Sequence, residues 1–71
     1  MDKLNRDEMQ VVVDYLTTTH EFLYETIMQG DNSMRKDELA IRKYLLLARE
    51  YKFNIDGLYD LDDKIKKIDN R

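Results

Sequence analysis

Met9, Val13, Leu16, His20, Leu23 and Ile27 recur at steps of four and three, which places all six on one stripe of a helix. The start of that helix is marked by Asn5 as N-cap with Glu8 three residues later, a capping-box spacing. Leu4 and Met9 stand at the two positions of a hydrophobic staple. Gly30 offers a left-handed C-cap, so the pattern predicts a first helix over about residues 6–29. After a turn at Asp31-Asn32-Ser33, the residues Ala40, Ile41, Tyr44, Leu47, Ala48 and Tyr51 form the apolar face of a second helix, about 34–52. Phe53-Asn54-Ile55-Asp56-Gly57 interrupts the period. Leu58, Leu61, Ile65 and Ile68 then step by three, four and three in a third helix, about 57–69, capped by Asp56. Its aspartates come early and its lysines late, the order that suits the helix dipole. No run alternates with period two, so the expected fold is all-α: a small three-helix bundle made of an αα-hairpin closed by a short third helix. Residues 1–71 are read as one domain, without repeat or linker.

The apolar positions exceed what such a core needs. The first helix also carries Val11, Tyr15 and Phe22 away from its main stripe, so its apolar arc spans about 220°. On the second helix, Arg35, Leu39, Arg42, Leu46, Arg49 and Phe53 advance by four and three in a continuous stripe of alternating arginines and apolar residues. Helix three could cover these residues, or another chain could. An apolar seam edged by arginines is what a desolvated, specific helix interface requires, and it makes these six the candidate partner-binding residues. Self-association as a homodimer is the simplest version. Charge agrees with it: residues 2–28 carry two basic and six acidic side chains, and residues 34–52 carry six basic and three acidic ones.

Composition narrows the functional classes. At 71 residues the chain can barely fill a core, so idealised helix packing or self-association is expected. Hydrophobic residues make up 42% and charged residues 38%, a globular rather than a disordered balance. The absence of cysteine rules out disulfides, cysteine-zinc sites and a thiol nucleophile. No uncharged window approaches the ~20 residues of a membrane span. The acid-rich start, Asp2 to Glu8, does not fit a signal or transit peptide, so a cytoplasmic location is expected. The net charge of −3 is mild and argues only weakly against nucleic acid.

His20-Glu21-Phe22-Leu23-Tyr24 begins like the His-Glu-x-x-His zinc signature, but Tyr24 replaces the second histidine, so His20 reads as a core or interface residue. Asn54-Ile55-Asp56-Gly57 resembles part of a calcium loop, yet its first ligand position would fall on Lys52, which cannot bind a cation. Two isolated glycines form no phosphate cradle. The carboxylate pairs Asp7/Glu8, Glu21/Glu25 and Asp62/Asp63 read as solvated faces, because a catalytic pair needs a shaped pocket. A helix-turn-helix would point four aspartates at DNA phosphates.

The function expected from the sequence is therefore a non-enzymatic protein–protein interaction or regulatory protein. It needs no cofactor, metal or membrane, and its partners are itself and another protein. Two alternatives use other faces. In one, Arg35, Arg42 and Arg49 with Lys36 and Lys43 grip nucleic-acid phosphates while Tyr44 or Phe53 stacks a base. In the other, Asp7, Glu8, Asp14, Glu21 and Glu25 mimic phosphates and block a basic protein.

Overall fold

The structure, a computed structural model, describes residues 3–50 and 57–71. Helix α1 spans Arg6–Met28, a short 3-10 turn spans Asn32–Met34, α2 spans Arg35–Arg49 and α3 spans Leu61–Asp69. The described residues contain no strand, and three helices pack together.

The ends of α1 form as their residues dictate. Asn5 Oδ1 accepts from the Glu8 amide at 2.8 Å, and Glu8 Oε1 accepts from the Asn5 amide at 3.0 Å, which completes the capping box. Leu4, at the staple position before Asn5, is 42% exposed, and Met9 is buried. At the other end Gly30 adopts φ +100°, a backbone that L side chains rarely take. This lets the Gly30 amide reach the Ile27 carbonyl at 2.9 Å and the Asp31 amide reach that of Thr26 at 3.2 Å. That paired pattern is a Schellman motif. Arg71 then donates to the Met28 carbonyl at 2.6 Å, satisfying another of the acceptors left at the helix end.

Asp31 caps the 3-10 turn through the Ser33 amide and hydroxyl, at 2.9 and 2.6 Å. These bonds hold the exposed Asp31 carboxyl below its ordinary range. The chain then returns antiparallel: Met9 and Val13 share the core with Leu45 and Ala48, while His20 meets Glu38 nearer the turn. Of the stripe expected on α1, Met9, Val13, His20, Leu23 and Ile27 are buried, and Leu16 packs at the core's edge.

On α2 the structure corrects the expected face. Tyr44 is 60% exposed and Leu47 46%, and the buried residues are Glu38, Leu45 and Ala48, with Ile41 and Leu46 packed against the core. The true face is rotated by about 100°, one residue step, from the apolar pattern. A charged residue occupies the face's centre, and a pattern that assigns charge to solvent turns away from it.

Helix α3 begins at Leu61 rather than near residue 57, with Asp60 at its N-cap position. Leu58, Leu61 and Ile68 are buried and Ile65 is partly so, as their spacing predicts. The expected end of the second helix near Lys52, the apolar position of Tyr51, and the cap at Asp56 lie outside the described residues.

Candidate functional site

The described part of the arginine stripe of α2 is divided, with Arg42 and Leu46 turned toward the molecule and Leu39 and Arg49 exposed. Arg42 is nearly buried, and its Nε and Nη2 donate to Glu38 at 2.9 and 2.8 Å. Its Nη1 and Nη2 reach Asp69 at 3.2 and 3.0 Å. Arg49 Nη1 meets Asp62 at 2.7 Å. Arg42 and Arg49 are two turns apart, as are Asp62 and Asp69, so the two ion pairs run antiparallel between α2 and α3, one near each end of α3. Arg35 donates to Asn32 at 2.9 Å. Leu46 packs against the core and Leu39 is exposed. Phe53 lies outside the described residues. Helix three, one of the two occupants considered for this stripe, is what Arg42 and Arg49 meet.

Behind Arg42 the chain of charges continues into the core. His20 Nε2 lies 2.7 Å from Glu38 Oε2, with His20 2% and Glu38 1% exposed. An ionised carboxylate only accepts, so the contact places a proton on Nε2. Glu38 thus takes three hydrogen bonds, and His20, Glu38, Arg42 and Asp69 join all three helices. Burial works against the Arg42 charge, but its hydrogen bonds to Glu38 and Asp69 prevail and raise its pKa further. Among the described residues no buried side-chain nitrogen or oxygen lacks a partner. Only the charge-balancing pairing makes this burial affordable.

A cleft of about 200 Å³ beside His20 includes Thr17, Thr18, Glu21, Tyr59 and Lys64 in its lining. The two threonine hydroxyls donate to the Val13 and Asp14 carbonyls, not to the histidine. The geometry therefore assembles no nucleophile–base pair from these residues. Among the described residues no three His, Asp or Glu side chains group as metal ligands, and no helix is long and apolar enough to cross a membrane.

The surplus on α1 lies on the opposite side from the core. Val11, Tyr15, Thr18 and Phe22 step by four, three and four, with Val11 54%, Tyr15 75% and Phe22 61% exposed. Thr18 spends its hydroxyl proton on the Asp14 carbonyl at 2.9 Å, so it adds no free donor to this stripe. A shallow groove of about 360 Å³ runs along Val11, Asp14, Tyr15, Thr18 and Thr19. Helical spacing puts Asp7, Asp14, Glu21 and Glu25 along one edge of the stripe. The sequence flagged Val11, Tyr15 and Phe22 as surplus but favoured the arginine stripe, because it could not see those arginines turned toward α3. Comparison with protein-family models, with curated proteins and with solved structures gives no match to this chain.

Proposed function

We propose that the chain is a non-enzymatic interaction protein that binds a protein partner through the outward face of α1, and that this includes binding further copies of itself. The observation that carries the reading is the stripe of Val11, Tyr15 and Phe22, turned to solvent on the side of α1 opposite its core face. Scattered apolar residues on a surface are ordinary, whereas a stripe in helical register with two aromatics matches the anchors a helix uses to dock. His20, the residue best suited to acid–base chemistry, is enclosed in a charge-matched network that holds the helices together, which supports a structural role for it. The nucleic-acid alternative uses Arg35, Arg42 and Arg49 with Lys36 and Lys43; the pairing of Arg42 and Arg49 to carboxylates within the chain weighs against it, while Lys36 and Lys43 stay exposed. The homodimer expected from the arginine stripe is carried over as self-association through α1.

The test is a photo-crosslinking residue placed at Tyr15, compared with the same residue at Lys66 on the exposed side of α3. A protein adduct formed in the native host at position 15, lost when Phe22→Asp is added and absent at position 66, supports the reading. No adduct at position 15, or equal adducts at both positions, overturns it.

A further inference from the structure

Once the internal ion pairs are formed, α1 keeps an excess of exposed acids and α2 keeps two exposed lysines beside one exposed acid, Asp37, and the acids of α1 and the lysines of α2 share a spacing. Helix α1 carries one basic and five acidic side chains, and α2 carries five basic and two acidic ones. The three arginines of α2 are engaged within the chain, which leaves Lys36 and Lys43, exposed and without an ion pair to any described residue. They belong to a second outward stripe, Lys36, Ala40, Lys43 and Leu47, which steps by four, three and four on the side of α2 opposite Leu45. Tyr44 and Leu39, both exposed, flank it. On α1, Glu21 and Glu25 are exposed and have no ion pair to a described residue, and among the described residues the Asp14 carboxylate accepts from the neutral Gln10 amide, at 2.9 Å, and forms no ion pair. Asp14 and Glu21 are seven residues apart, as are Lys36 and Lys43, so each pair spans about 10.5 Å along its helix.

We infer that the outward face of α1 binds the outward face of α2 on a second copy of the chain. The inference rests on the reading of α1 as a binding face and names its occupant. The α1 stripe is apolar and edged by acids, while the α2 stripe alternates Lys36 and Lys43 with Ala40 and Leu47, with the exposed acids Asp37 beside it and Glu50 at its end; α1 against α1 would bring Asp14, Glu21 and Glu25 onto their like, and α2 against α2 would oppose Lys36 and Lys43. Only the mixed pairing sets carboxylates against ammonium groups at matching two-turn intervals. The two faces point away from the core their helices share, so they cannot meet within one chain. The contact is head to tail: each bound copy leaves one face of each kind open, and a dimer is the first step of a longer series. A single helix–helix contact buries less than the ~1,200 Å² of stable complexes, so association is weak and is best read at about 0.5 mM protein and low salt.

Sedimentation of three proteins, each checked for helicity by circular dichroism, tests this: the unmodified chain, Asp14→Lys with Glu21→Lys, and Lys36→Glu with Lys43→Glu. The unmodified chain is expected to grow in mass beyond the dimer as concentration rises. Each reversed variant alone should lose at least about tenfold in association constant, equivalent to ~1.4 kcal/mol. An equimolar mixture of the two variants should recover association, because their faces are again complementary. If the lysine-reversed variant associates as well as the unmodified chain while the acid-reversed variant does not, α2 is not the occupant, although α1 remains a binding face. An unmodified chain that stays monomeric at 0.5 mM overturns self-recognition altogether, and crosslinking at position 15 then decides separately whether α1 serves another partner.

Discussion

Glu38→Gln is the most informative single change, because it keeps the side chain's shape and removes one charge from the centre of the core. Glu38 accepts from His20 Nε2 at 2.7 Å and from two Arg42 nitrogens at 2.9 and 2.8 Å. A glutamine can keep one carbonyl acceptor for His20, but its amide nitrogen then faces the Arg42 guanidinium, donor against donor. Arg42 retains Asp69, which is itself half exposed, so the loss falls at the lower end of the 3–5 kcal/mol typical of a broken buried pair, about 3 kcal/mol. For a domain of this size that lowers Tm by roughly 12–24 °C, at about 4–8 °C per kcal/mol. Urea unfolding followed by circular dichroism measures the change, provided the slope with denaturant is unaltered. Replacing His20, Glu38 and Arg42 together by Leu, Met and Met removes the buried charges and leaves without a partner only Asp69, which is half exposed and solvated, so it should recover most of the loss. A cost below about 1 kcal/mol for Glu38→Gln would refute the reasoning, because it is the range of an exposed ion pair.

Three further outcomes test the description of the helices. Leu45→Ala should cost about 2–5 kcal/mol, and Leu47→Ala, on the half-exposed side, under about 1 kcal/mol; equal costs in chemical denaturation would restore the face that the apolar pattern alone selects. Asn5→Ala should cost about 1 kcal/mol by removing the acceptor for the Glu8 amide, read as a lower urea midpoint with the amide signals of the first turn exchanging faster. The carboxyl of Asp31 is lowered in the folded chain, so its contribution is present above the unfolded carboxyl pKa, ~3.9, and is lost as pH falls through the folded value. An NMR titration of Asp31 should therefore show a lower midpoint than in Ser33→Ala, and an unchanged midpoint would remove the hydroxyl's part in lowering it.

Local rules set most of the helical architecture. The capping box at Asn5 and Glu8, the left-handed stop at Gly30 and the stripe from Met9 to Ile27 depend on residues a few positions apart, and all are present as read. The apolar period of Leu58, Leu61, Ile65 and Ile68 likewise identifies the inward side of α3. The surplus of Val11, Tyr15 and Phe22 was legible for the same reason, since one helix cannot bury opposite sides of itself against a single core.

What the sequence could not determine was decided by partners distant along the chain. Glu38 can sit at the centre of the α2 core face only because His20, 18 residues away, and Arg42, with Asp69 behind it, supply donors and opposite charge. Without those partners the cost of desolvating a carboxylate would turn it outward, which is the assumption every amphipathic pattern makes. The same tertiary arrangement commits Arg42 and Arg49 to α3 and leaves Lys36 and Lys43 on the surface. The sequence by itself determined which segments are helical and that α1 has more apolar surface than one core needs. Tertiary structure decided which side of α2 faces inward and which charges remain to meet another molecule, because ion pairing between helices depends on distances that spacing along one helix does not contain.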